Sequence, residues 1–246
     1  MGPSRAAQSA EVKTMKYERW VVDYRKFQPR LINKPEFRHL KLLVFWPLYL
    51  VLFQFVERLF PVETYHVVHC ALDDIIPFHE AFLIPYVLWF VELIYMTFYT
   101  LLYNIDVIRQ YMKYIIITYL AATFIHMVLP TCQNLRPAVF PRDNVLAYFV
   151  SLIYAFDTNT NVCPSIHVLG ALGVCFAAWK LERFQTRVWK SFWFVLASLI
   201  CLSTVFMKQH SVLDIFAALP IAALAYLISF HSRNIEHAKH LTRNPI

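Results

Sequence analysis

Long apolar runs, separated by short clusters of polar and basic residues, set the plan of this chain. Several approach or exceed the roughly 18 residues needed to cross a bilayer. They fall near Leu42–Phe60, Ala81–Tyr103, Met112–Leu129, Ser165–Leu181, Trp189–Phe206 and Val212–Phe230. One further apolar segment, Asn144–Phe156, is too short to span, and Asp143 stands before it as a candidate N-cap. It reads as an interfacial or re-entrant helix over one end of the bundle. The connection that holds it, Pro130–Pro164, is too long for a simple link between antiparallel helices. The predicted fold is therefore all-α: a polytopic six-transmembrane-helix bundle with an extra interfacial helix between spans three and four.

The flanks differ from this core. Residues 1–41 form a basic arm expected on the cytoplasmic side, aromatic as well as basic from Lys16 onward (Tyr17, Trp20, Tyr24, Phe27) and suited to lie on the membrane surface. Its first 14 residues lack the apolar core of a signal peptide and read as a vector-derived remnant, with Met15 a natural start. Residues 42–230 hold the membrane domain and 231–246 a cytoplasmic tail.

Composition narrows the function classes. The chain is 59% hydrophobic, well beyond the need of a soluble domain. Only three glycines occur, Gly2, Gly170 and Gly173. That excludes a P-loop and a dinucleotide-binding fingerprint, which cluster glycines in one turn. A net charge of +7 raises nucleic acid as a partner. In a membrane protein, basic residues facing anionic lipid explain it better, and no nucleic-acid partner is expected. The five cysteines form no CxxC pair and no zinc signature. Cys175 and Cys201 sit in apolar runs, whereas Cys70, Cys132 and Cys163 lie near span ends, where a disulfide would be admissible but spacing selects no pair.

Charge fixes the orientation. Arg25, Lys26, Arg30, Lys34, Arg38 and Lys41 precede the first span. Arg109 and Lys113 follow the second, and Lys180, Arg183, Arg187 and Lys190 follow the fourth. Arg233, Lys239 and Arg243 follow the last. With six spans these share one side, and the other keeps only Arg58, Arg136, Arg142 and Lys208. The positive-inside rule then places both termini in the cytoplasm. The connections around Arg136, His167 and His210 meet on the outer face of the cell membrane.

Chemistry gathers at that face. His210 and Asp214 are four residues apart, so on a helix they share one side about a turn apart. The carboxylate would hold one ring nitrogen and leave the other free as a nucleophile or base. Pro164-Ser165-Ile166-His167 opens the fourth span, where free N–H groups and the helix dipole attract an anion. Ser165 adds a hydroxyl, and His167 is placed to donate a proton to a departing oxygen. The forked guanidinium of Arg136 suits a phosphate, and Lys208 adds a second cation two residues before His210. Each has a structural counterpart reading as a cap or headgroup anchor; the combination is what points to phosphate chemistry.

Other polar residues carry less. Glu92 lies mid-span, where a helix-packing hydrogen bond is the better reading. His126 borders the site or packs. His66 and His69 with Asp73 and Asp74 have metal-like spacing, but a solvated acidic loop is the better reading, and no metal is expected. Asp73, Asp74 and Glu80 precede Pro85-Tyr86 and are placed to shape substrate access.

In these motifs the chain resembles the type 2 phosphatidic acid phosphatase (PAP2) superfamily, in a bacterial-type form. The family's second motif, P-S-G-H, reads P-S-I-H at Pro164–His167, and its third, S-R-x5-H-x3-D, reads S-T-V-F-M-K-Q-H-S-V-L-D at Ser203–Asp214. Its first, K-x6-R-P, survives as Arg136-Pro137 with Leu129 in the lysine position. The resemblance covers roughly residues 126 to 220. It implies that His210 attacks phosphorus and becomes a phosphohistidine while Asp214 orients it. His167 would protonate the leaving alkoxide, and Arg136 and Ser165 would hold the phosphoryl oxygens, with no metal or cofactor. Thr204 replaces the arginine of the third motif, a loss Lys208 offsets. Ile166 in place of glycine, with the missing cations, is closer to the sphingomyelin and inositol phosphorylceramide synthase branch.

Three functions follow. The first is a lipid phosphatase acting on a phosphomonoester or pyrophosphate of an amphiphile. The second is a lipid phosphotransferase that moves a phospho-headgroup to a lipid alcohol with the same residues. The third, of another class, is a transporter or scaffold with a dead site.

Overall fold

The computed structural model describes residues 20–231. The remnant, the start of the basic arm and most of the tail (Arg233, Lys239, Arg243) lie outside the described residues. Within them the chain is mostly helical, with two strands of two residues each and irregular connections. Five helical stretches are long and apolar enough to cross a membrane: Arg38–Arg58, Glu80–Tyr103, Ile105–Val128, Arg187–Phe206 and Val212–Phe230. We label the helices α1 (Phe45–Arg58), α2 (Ala71–Ile75), α3 (Leu83–Tyr103), α4 (Ile105–Val128), α5 (Val145–Phe156), α6 (Ile166–Ala178), α7 (Arg187–Phe206) and α8 (Val212–Tyr226). A 3-10 stretch, Arg38–Val44, leads into α1.

α6 stands in the centre. It has 13 residues, about 20 Å at 1.5 Å per residue, less than the roughly 30 Å hydrocarbon thickness. It packs against α3, α4, α7 and α8. Ten of its residues are buried, so it is apolar around its circumference because protein surrounds it. Gly170 and Gly173 make this possible. A Cβ on Gly170 would stand 2.6 Å from the Tyr119 hydroxyl and 2.7 Å from Trp89 Nε1, and one on Gly173 would stand 2.7 Å from the Tyr114 ring. Small residues thus let aromatic side chains of α3 and α4 close on the central helix.

Element ends differ from expectation for local reasons. The third span starts at Ile105, not Met112, because Asn104 caps α4 by accepting the Val107 N–H at 3.0 Å. The polar first turns, with Asp106 and Arg109 3.7 Å apart, hide this start in the hydropathy pattern. The predicted Ser165–Leu181 run yields the shorter α6. Asn144, not Asp143, caps α5, its side chain accepting the Ala147 N–H at 3.0 Å. Pro164 precedes the cap of α6 and is not in its first turn. The described part of the basic arm docks onto the end of α3, where the Tyr24 hydroxyl donates to the Leu101 carbonyl at 2.6 Å.

At the opposite end the connections lock together. β1 (His66–Val67) and β2 (Thr131–Cys132) pair in parallel, His66 opposite Thr131. Glu80 takes both forks of Arg142 at 2.7 and 2.6 Å, plus the Asn144 amide at 2.8 Å. That ties the start of α5 to the connection before α3, so Glu80 serves as a tether. Glu92 departs from the expected packing bond: both carboxyl oxygens are buried without a hydrogen-bond partner. The five cysteines are free.

Candidate active site

The turn between α7 and α8 is built by backbone bonds first. The Gln209 N–H reaches the Thr204 carbonyl and the Lys208 N–H the Val205 carbonyl, the two bonds of a Schellman ending. Lys208 takes the left-handed position usually given to glycine, with φ 54°. Its side chain compensates: Nζ donates to the carbonyls of Asp73 at 2.6 Å and Ile76 at 2.5 Å. Those are the C-terminal carbonyls of α2, where a cation meets the negative end of the helix. Burial lowers the Lys208 ammonium from its ordinary value, against the pull of Asp73 and Asp74.

The same short helix grips the turn a second time. Asp73 is 1% exposed. Its Oδ2 accepts the Ser211 hydroxyl at 2.6 Å and the Cys70 N–H at 2.8 Å, and its Oδ1 accepts the Val212 N–H at 2.8 Å. Burial alone would raise this carboxyl, but the hydrogen bonds from Ser211, Val212 and Cys70 hold it below its ordinary value. The solvated acidic loop expected from sequence is instead a buried clamp on the N-terminus of α8. Only Asp74 remains in the expected environment, receiving His69 Nε2 at 2.8 Å on the surface. Among the described residues no group of three or more His, Cys, Asp or Glu converges for a metal.

Between those two grips lies His210. Ser211 and Asp214 form a capping box, and Asp214 Oδ2 accepts the Ser211 N–H at 3.0 Å. It lies 3.0 Å from His210 Nδ1. Asp214 is fully buried and accepts the Ser211 N–H, so it favours the tautomer with an N–H at Nδ1 and leaves Nε2 outside this bond. The Cys163 thiol lies near Asp214, and burial, reinforced by that carboxylate, pushes it up to about 12. It stays a neutral S–H at physiological pH.

His167 is held differently. Its ring centroid is 4.7 Å from Tyr86, 4.3 Å from Trp89 and 5.5 Å from His210, edge-on to the last. Neither ring nitrogen has a hydrogen-bond partner, and neither does the hydroxyl of Ser165. Ser165 is the N-cap residue of α6 yet makes no side-chain cap bond. These three buried polar atoms, and Oδ1 of Asp214, are thus unsatisfied around one imidazole held by a carboxylate, an arrangement a polar ligand would complete. His126 Nε2 lies 3.2 Å from the Pro164 carbonyl and supports the segment leading into Ser165.

Arg136 belongs to the next layer. Its Nη1 donates to the carbonyls of Tyr154 at 3.2 Å and Asp157 at 3.1 Å, and its Nη2 to Thr158 O at 2.6 Å and Gln209 Oε1 at 2.5 Å. The guanidinium caps the C-terminus of α5 and couples it to the turn that carries His210. Gln209 and the Tyr86 hydroxyl approach the Asp157 carboxylate at 3.4 and 3.2 Å. Of the six residues singled out by sequence, His210, Asp214, His167 and Ser165 meet at one point. Arg136 and Lys208 reach the same turn, but Lys208 Nζ and both Nη atoms of Arg136 go to protein carbonyls, while Arg136 Nε is buried without a partner. Trp89, Gln209 and Asp157 are additions without a sequence signal, whereas Asp73 and Tyr86, read from sequence in the connection that shapes access, become parts of the site itself, Asp73 through the C-x-x-D capping pattern with Cys70.

A lateral cavity of about 1010 Å³ leads to this point. Its walls come from α1, α3 and α5 and are almost wholly apolar, including Trp46, Phe53, Phe90 and Phe149, while Asp157 and His167 line its polar end. No family model, curated protein or solved structure matches this chain. The arrangement gathers a carboxylate-held imidazole, an unpartnered imidazole and an unsatisfied hydroxyl, with His167 at the polar end of the apolar cavity.

Proposed function

We propose that this chain is a multi-pass lipid phosphatase of the PAP2 type, with its site on the non-cytoplasmic face of the cell membrane. In this reading α6 is a sixth crossing, sheltered by its four neighbours, and α5 lies at the interface above the site. All four cations of that face donate to protein acceptors or an acid: Arg58 to Phe156 O, Arg136 and Lys208 as described, and Arg142 to Glu80. The basic residues of the opposite end include Arg109 and Lys190, which supports the positive-inside orientation.

One observation carries the function: the ring of an Asp-oriented His210 stands 5.5 Å, centroid to centroid, from an unpartnered His167 ring that lines the polar end of an apolar cavity. A phosphate ester between the rings meets Ser165 Oγ and the first-turn N–H groups of α6. Nε2 of His210 bonds to phosphorus as the ester P–O bond breaks, and His167 gives its proton to the departing alkoxide. Water then attacks the phosphohistidine, His167 takes the water proton, and inorganic phosphate leaves with His210 restored. Arg136 contributes its charge from behind Gln209. Transfer to a lipid alcohol is the second reading, because an acceptor arriving tail-first through the same cavity would present its hydroxyl to His167 in place of water.

The test is trapping. Purified protein in mixed micelles, given a ³²P-labelled long-chain lipid phosphate and quenched within milliseconds, should carry an acid-labile, alkali-stable label. His210→Ala should remove the label and the phosphate release together. Unchanged release in that variant rules the assignment out.

A further inference from the structure

The cavity wall holds one carboxylate. Asp157 sits at the polar end beside Tyr86 and His167, where the rest of the lining is apolar or uncharged. Both side-chain bonds it accepts, from Tyr86 and Gln209, fall on Oδ2. No donor among the described residues bonds Oδ1, and this atom is not sealed within the protein. The carboxylate is held in place from behind. Arg136 Nη1 holds its own carbonyl and its N–H closes α5 on Ile153, so the side chain is fixed relative to the catalytic turn.

A carboxylate cannot hydrogen-bond a phosphate dianion, and next to one it is repulsive. Its presence at the head of the cavity needs a different ligand group, a hydrogen-bond donor, placed where the tail meets the ester. We infer that Asp157 reads a free hydroxyl or N–H on the lipid backbone adjacent to the phosphate ester. The preferred substrates are then lyso-type or sphingoid-type lipid phosphates, not fully acylated or polyprenyl ones. This rests on the phosphatase reading for the position of the phosphate, but not for the recognition itself. Burial raises the Asp157 carboxyl above its ordinary value, while His210, Tyr86 and Arg136 draw it back. A site built to bond a donor discriminates against ligands that lack it, because the polar group is otherwise left unpaired.

Two measurements separate the inference from its foundation. In the His210→Ala protein, which should turn nothing over, binding is read from Trp89 fluorescence with a 1-acyl-2-hydroxyglycerol 3-phosphate and with its 2-O-methyl ether. The hydroxyl lipid should bind about tenfold tighter, and adding Asp157→Leu should bring the ratio near one, with Asp157→Asn as the variant that best preserves the fold. With His210 intact, the ratio of kcat/KM for the same pair should follow that pattern. Equal binding of the pair, a ratio untouched by Asp157→Leu and Asp157→Asn alike, or selection of a choline headgroup over the free hydroxyl overturns the inference. Selective, Asp157-dependent binding without phosphate release leaves it standing and removes the phosphatase reading instead.

Discussion

The two histidines of the site are secured by opposite means. His210 is set by hydrogen bonds: Asp214 holds its ring, and Asp73 and Lys208 lock the turn on either side. His167 is set by packing between Tyr86 and Trp89, and its nitrogens bond nothing. A nucleophile needs one tautomer and one direction, which a fixed acceptor supplies. A proton carrier must change protonation state during a turnover, and a permanent partner would favour one state. The polar side should therefore be sensitive to isosteric changes of charge, and the packed side to changes of volume.

The largest effect tests the division of labour between the rings. His210→Ala should lower kcat/KM by about 10³-fold or more, as expected when a covalent nucleophile is lost. His167→Gln should cost about 10²- to 10⁴-fold, the range of general acid catalysis. Only the latter loss should shrink for a substrate with a good leaving group, such as an aryl phosphate, because such a group departs without a proton. Equal losses of His167→Gln on alkyl and aryl esters would remove its acid role. Asp214→Asn, which preserves shape but offers its amide N–H to His210, should cost about 10²-fold. An Asn variant as active as wild type would contradict orientation by that carboxylate.

The sequence makes one half of this contrast visible. The i, i+4 spacing of His210 and Asp214 is a helical pattern, and local spacing carries it from sequence to structure without help. The sandwich around His167 joins residues about 80 positions apart, so no window along the chain contains it. The same holds for Asp73, which caps a helix start 139 residues away. Its neighbours Asp74 and His69 favour a surface reading, and only the tertiary fold separates the buried acid from the exposed one. Five membrane-length helices are legible because hydropathy is additive over a span. α6 is shorter than the predicted fourth run, because its apolar character answers to protein neighbours. The N-terminal turns of α4 are missed because Asp106 and Arg109 interrupt the apolar pattern there.

Asp73 probes the polar side at one remove. Asp73→Asn keeps the volume but turns a triple acceptor into a group that competes for donors, and it should reduce kcat about tenfold with little change in KM. Its pH signature has a definite sign. The folded carboxyl lies below its ordinary value of 3.8, so its contribution to stability is fully present above that value and is lost as pH falls through the folded one. Acid unfolding followed by tryptophan fluorescence should show an added loss of stability below that value in the wild type. The Asn variant should lack this component. Identical acid limbs would mean that Asp73 is not ionised in its clamp.

The smallest expected effect belongs to the packed side and changes none of His210, Asp214, His167 and Ser165. In Gly170→Ala, the new methyl would meet Trp89 Nε1 at 2.7 Å and the Tyr119 hydroxyl at 2.6 Å. Those rings must shift, and overpacking of this kind destabilises by roughly 1–3 kcal/mol. Trp89 also forms one wall against His167, so the shift reaches that ring through contact alone. We expect a lower unfolding temperature in detergent and a drop of a few-fold in kcat on alkyl phosphates, with a smaller drop on aryl phosphates. Gly173→Ala is the control: its methyl meets the Tyr114 ring at 2.7 Å, which does not touch His167, and it should lower stability to a similar degree without the leaving-group dependence. If both alanines alter alkyl and aryl turnover alike, packing around His167 does not set its reactivity, and the two histidines differ in surroundings but not in how those surroundings act.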